Sequence, residues 1–261
     1  MTVLCLHGAY GSAYKFQIQL QPFVQAVEKT GTMEFKWISG SYEANPPAGF
    51  KDYFGPPPLY RFIDCDGISA MDDLLTKIRD IPQGLTAEDS LRKLVGDSPL
   101  FTPKALKASL DELIGKIDED PEVDGILGYS EGAAVSASLI LEEQRRFEEE
   151  GRPRRIKYAI FFAGWPPARL VNGKVQMLFA DECEDMIDIP TCHIIGCNDP
   201  YVNGAMALYG MCDEDTAVMF DHGKGHTVPR DARTVAELTR SITTTWDRRG
   251  DCALQDGMTG V

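Results

Sequence analysis

The chain has no C-x-x-C pair, no apolar run near the ~20 residues of a membrane helix, and a shortage of positive charge. Each shortage removes a class of answer. The seven cysteines, at 5, 65, 183, 192, 197, 212 and 252, are odd in number and scattered. That disfavours a disulfide framework and a zinc site, and suits free thiols in a reducing compartment. Twenty-six Lys and Arg against 40 Asp and Glu leave a formal charge of −14, so nucleic acid and anionic membrane are poor partners. The opening residues Met1-Thr2-Val3-Leu4-Cys5-Leu6 lack a basic n-region and run straight into a strand pattern, so a cytoplasmic location is expected. Histidine is scarce too, with four residues, and any search for a general base is therefore short.

What is present suits one α/β domain. The 261 residues are 43 % hydrophobic and 25 % charged, ample for a large core. Strand-like runs at 2–6, 34–39, 123–128, 157–163, 191–196 and 217–221 alternate with helical patterns at 12–29, 104–119, 132–150, 203–211 and 231–248. This alternation predicts a doubly wound, mostly parallel sheet with helices on both faces. Continuous apolar runs such as Tyr158-Ala159-Ile160-Phe161-Phe162 fit strands covered on both sides. We expect one domain over 1–250 and a loose tail over 251–261. A segment rich in Pro, Gly and aromatics, from Tyr42 to Tyr60, breaks the pattern. It opens a cap-like insertion over roughly 42–103, and reads equally as a lid over a pocket or as a packed surface loop.

The most informative stretch is Gly128-Tyr129-Ser130-Glu131-Gly132, set between a strand pattern and a helix pattern. A strand that turns sharply at serine and continues as a helix gives G-x-S-x-G its meaning: the hydroxyl stands exposed above a helix N-terminus. Such a serine is a weak nucleophile without a base, an acid to orient the base, and donors for the oxyanion.

On a doubly wound sheet these groups belong at the carboxyl ends of strands. His193 falls inside a strand and reads as buried structure, and His222 as a loop-packing residue. His226, in the Gly-rich loop after the last strand, is the expected base. Asp199, leaving the strand 191–196, is the expected orienting acid, with Asp221 its rival. The expected oxyanion donors are the amides of Ala9 and Glu131, with Tyr10 a substitute for Ala9. Tyr10, Phe54, Tyr60, Trp165 and Tyr201 are the expected contacts of an apolar acyl pocket, with core packing an equal alternative for Trp165.

Leu6-His7-Gly8, Gly128 to Ala133, Gly-x-x-Asp-x-x-Val at 196–202 and Gly-x-His-x-Val-Pro at 224–229 together resemble the fungal family of small serine hydrolases, along essentially the whole chain. That family includes trans-acting thioesterases of polyketide pathways. The resemblance implies an α/β-hydrolase with Ser130, Asp199 and His226 as its triad, acting on an acyl thioester or ester. It favours release of a polyketide acyl chain from the carrier domain of a synthase. A small-molecule carboxylesterase is the alternative, and a non-catalytic acyl-binding protein a further one. No metal or organic cofactor is implied. Glu131 stands where glutamine is more usual, and an inward side chain would bring negative charge to the nucleophile. Arg152, Arg154, Arg155 and Lys157 form the basic patch expected to dock an acidic carrier.

Overall fold

The computed structural model describes residues 1–64, 77, 86–96 and 100–243. Its strands, in chain order, are β1 (Thr2–Leu6), β2 (Glu34–Ile38), β3 (Tyr42–Glu43), β4 (Tyr60–Arg61), β5 (Val123–Tyr129), β6 (Tyr158–Phe162), β7 (Ala168–Val171), β8 (Lys174–Met177), β9 (Thr191–Ile195) and β10 (Ala217–Asp221). Six of them form one sheet in the order β10-β9-β6-β5-β1-β2, with every neighbouring pair parallel. These six are the strands expected from the sequence, within a residue or two at each end.

The side chains of a strand alternate between faces, and β1 divides accordingly. Val3 and Cys5 enter one apolar cluster, while Leu4 and Leu6 enter the other. The first cluster is closed by the helix Ala13–Glu28, whose buried Phe16, Leu20, Phe23, Val24 and Val27 follow helical spacing. Leu238 and Ile242, from the helical stretch 232–243, complete that layer. The other face is covered by the helices Ala87–Val95, Pro103–Glu119, Glu131–Glu150 and Val202–Gly210. Side-chain caps begin three helices: Ser12, Thr86 and Thr102 accept the amides of Lys15, Asp89 and Ala105.

From β1 the chain moves outward to β2 on one side, and its later strands begin at β5 on the other. The connections after β1 and β5 therefore diverge, leaving a crevice at their carboxyl ends where doubly wound sheets bind ligands. The residues 7–11 and the Ser130 turn both open onto it.

Two elements differ from the sequence reading. The antiparallel hairpin of β7 and β8 was not expected, and it turns at Asn172-Gly173, both at positive φ. The 42–60 segment is also less irregular than its prolines suggest: β3 pairs with β4, and Lys51–Phe54 forms one helical turn. The expected tail lies outside the described residues, as do 65–76, 78–85 and 97–99 of the cap-like insertion and the end of the helix expected over 231–248. No helix among the described residues is long and apolar enough to cross a membrane.

Candidate active site

Ser130 follows β5 and caps the helix Glu131–Glu150 at φ 53°, ψ −116°, a backbone conformation that L-residues avoid. The surroundings hold it there. Its amide donates to the Phe162 carbonyl at 2.9 Å, tying the turn to the end of β6. A Cβ on Gly128 would stand 2.4 Å from the Gly132 carbonyl oxygen, and one on Gly132 would stand 2.4 Å from that of Leu6. Only hydrogen fits at either position, so the motif's glycines permit the helix N-terminus to pack on the end of β1.

The structure brings Ser130, His226 and Asp199 into one relay. The loop after β10 carries His226, whose Nε2 stands 3.1 Å from Ser130 Oγ. Its Nδ1 stands 2.7 Å from Oδ2 of Asp199, in the loop after β9. A carboxylate only accepts, so this bond puts the imidazole proton on Nδ1 and turns the Nε2 lone pair to the hydroxyl. Asp199 is buried, and its Oδ1 accepts the Tyr201 amide at 2.8 Å, which fixes the carboxylate's rotation. Tyr201 also packs edge-on against the His226 ring, and Tyr129 donates to the His226 carbonyl at 3.2 Å. Burial, and then neighbouring negative charge, raise the Tyr129 phenol above its ordinary range, so it remains a neutral donor.

The other candidates fall elsewhere. Asp221 accepts the amides of Cys197 and Gly223 and joins two loops. His193 is buried between Phe161 and Tyr209, and desolvation lowers it to about 3. His222 is also buried, accepting the Lys224 amide on Nδ1. His7 acts as a bracket: Nδ1 donates to the Gly8 carbonyl at 2.7 Å and Nε2 accepts the Gly40 amide at 3.0 Å. That second bond needs a neutral ring, and burial lowers the His7 pKa accordingly.

The relay opens on a cavity of about 960 Å³. Its wall includes Ala9 and Glu131 beside Ser130, and Tyr10, Phe54, Trp165 and Tyr201 among the expected contacts. Tyr60 does not line it. The ladder partner of Glu43, it is occupied by its backbone, donating its amide to the Gly11 carbonyl at 2.8 Å. Sequence reasoning missed Arg61, Phe101, Ala168 and Met177 in the wall. The last two come from the β7–β8 hairpin, and the Asn-Gly pair at its turn was the signal available for it. Nothing local marks Arg61 or Phe101.

Two expectations about charge are corrected. Glu131 brings no uncompensated charge to Ser130: its carboxylate meets Arg61 Nε at 2.7 Å and accepts the Phe62 amide at 3.3 Å. The arginines of the basic cluster are engaged within the fold, while Lys157 is exposed. Arg152 pairs with Asp118, Arg154 with Asp188, and Arg155 donates to the carbonyls of Pro121 and Val123. The cluster lies in the loop entering β6 and beside the start of β5, at the amino ends of the strands. The relay lies at their carboxyl ends.

Comparison with known proteins bears on the family and the fold. The chain is 27 % identical over 247 residues to the esterase FPY3 of Fusarium mangiferae, covering 93 % of this chain and 95 % of that protein. It is 23 % identical over 254 residues to the thioesterase FSL2 of Gibberella zeae, covering 94 % and 92 %. Arabidopsis thaliana SOBER1 shares the fold at 13 % identity with a TM-score of 0.53, over 94 % of this chain and 99 % of that one. The model of the serine hydrolase (FSH1) family matches residues 1–238. The chain therefore belongs to the FSH1 serine hydrolase family and is an α/β-hydrolase.

Proposed function

We propose that this hydrolase cleaves an acyl ester or thioester through an acyl-serine intermediate on Ser130. His226 Nε2 takes the hydroxyl proton as Oγ attacks the acyl carbon, and Asp199 steadies the imidazolium that forms. The amides of Ala9 and Glu131 receive the oxyanion, each worth ~3 kcal/mol at the transition state. The imidazolium then protonates the leaving alcohol or thiol. In the second half, water loses a proton to the same nitrogen, attacks the acyl-serine, and releases the carboxylic acid while Ser130 regains its proton. Tyr10, Phe54, Trp165 and Tyr201 hold the acyl chain.

The observation that carries this reading is the unbroken relay of 3.1 and 2.7 Å at the edge of a cavity large enough for an acyl group. A fluorophosphonate probe should label the wild-type protein and leave Ser130→Ala unlabelled. Intact mass should then find an acyl adduct after incubation with a panel of thioesters. A wild-type protein that never labels would leave acyl binding without turnover as the function.

The finer reading is a cytoplasmic, trans-acting thioesterase that frees a polyketide chain from a carrier domain. A relative named as a thioesterase and the motif resemblance support it. The ion pairs of Arg152 and Arg154 and the cluster's distance from the relay favour the second reading, a small-molecule carboxylesterase. Turnover of one acyl group on a carrier domain and on a small soluble thiol separates them. A marked preference for the carrier substrate supports the first, and equal rates support the second.

A further inference from the structure

From the contacts around β4 we infer that the buried Arg61–Glu131 ion pair is a positioning device for the oxyanion donors, an inference that rests on the catalytic reading above. Glu131 donates one of the two proposed amides, and its own side chain is pinned. Arg61 meets Oε2 through Nε at 2.7 Å and through a terminal nitrogen at 2.5 Å, and both side chains are 2 % exposed. Oε1 accepts the amide of Phe62, the residue next to Arg61.

The other amide, that of Ala9, belongs to a loop held by the same strand. Tyr60, the first residue of β4, donates its amide to Gly11 at 2.8 Å. Gly40 presses against the Arg61 carbonyl so closely that an added Cβ would lie 2.2 Å from that oxygen, and its amide meets His7 Nε2 at 3.0 Å. His7 in turn holds the Gly8 carbonyl. Two adjacent residues thus brace both halves of the proposed hole, one through its backbone and one through its guanidinium.

Burying two charges is costly, and an apolar pair of similar volume would often fold as well or better. What the pair adds is direction. A planar guanidinium hydrogen-bonded through Nε to Oε2, with the Phe62 amide on Oε1, fixes the carboxylate, and so the first helical residue, in a way that a flexible apolar contact does not. It also neutralises a carboxylate that would otherwise repel the oxyanion forming beside it. A ~1 Å misplacement of catalytic groups can cost ~100-fold in rate. Arg61 is therefore a positioning residue, acting through Glu131.

The test compares wild type, Arg61→Met and Arg61→Met/Glu131→Gln. The double variant leaves no buried charge and retains a carbonyl for the Phe62 amide, so it tolerates folding better than the single change. Turnover is normalised to active sites titrated with a fluorophosphonate, which removes any effect of misfolded protein. We expect kcat to fall ~100-fold in the single variant and ~10-fold in the double, with KM within about threefold of wild type. Affinity for a trifluoromethyl ketone, which adds to Ser130 and places an oxyanion in the hole, should weaken in proportion to kcat/KM. A folded double variant with kcat and ketone affinity within about twofold of wild type would overturn the inference while leaving the catalytic reading intact. A wild-type protein without turnover would overturn both.

Discussion

At residue scale, Asp199 has two tasks that a substitution can separate. Asn at this position still accepts the Tyr201 amide, but it can present its NH2 to His226 Nδ1 and so favour the wrong tautomer. Asp199→Asn should lower kcat by ~10³–10⁴-fold with little change in KM or melting temperature, as steady-state kinetics and a thermal scan would show. His193 carries a different prediction. Its pKa is about 3 in the fold and ~6.5 in the unfolded chain, so between those values the unfolded state binds more protons. Its contribution is complete above pH ~6.5 and is lost as pH falls towards 3, amounting to about 2 kcal/mol by pH 5. Urea titrations from pH 7 to 5 should show this loss, and His193→Gln should flatten that part of the curve. The relay residues were legible because each follows a strand end in the right chain order. Arg61 was not, because its partner lies 70 residues away and nothing in the sequence beside Arg61 marks it.

At the scale of elements, the helix Glu131–Glu150 and β1 touch through backbone, with Gly132 as the contact. Ala there would put its Cβ 2.4 Å from the Leu6 oxygen and 2.5 Å from that of His7, and neither main chain is free to retreat. Gly132→Ala should destabilise the fold by about 1–3 kcal/mol in urea unfolding. The larger effect should fall on catalysis, since the same movement separates the proposed donor amides. We expect a kcat loss of ~100-fold or more, measured on titrated sites. The strands of the sheet were readable because burial on both faces leaves apolar runs, continuous in β6 and broken in the buried β9 only by Thr191 and His193. β7 and β8 escaped notice because they are four residues each with exposed alternate positions, and a weak period of two is easily lost beside a turn.

At the scale of the whole molecule, the ends of the sheet divide the labour. The relay, the cavity and the loops that carry them lie at the carboxyl ends of the strands, whereas the arginines of 152–155 lie at the amino ends, joined to carboxylates and carbonyls. Charge reversal in that cluster should therefore leave the site alone. Arg154→Glu should change KM for a carrier-bound thioester by less than about twofold at moderate salt, because the ion pair with Asp188 already cancels the charge that a carrier would meet. A tenfold rise would place the docking surface there after all.

Sequence alone determined what depends on near neighbours in the chain: strand and helix periods, the strained serine turn, and the order in which the proposed nucleophile, acid and base occur. The tertiary structure decided what depends on convergence. Glu131 became harmless only when Arg61 reached it, Arg152 and Arg154 were paired only by folding beside Asp118 and Asp188, and Tyr60 became a backbone strut and not a pocket wall. The physical reason is that charge compensation and cavity walls arise between side chains remote in sequence, and no local pattern records which of them will meet.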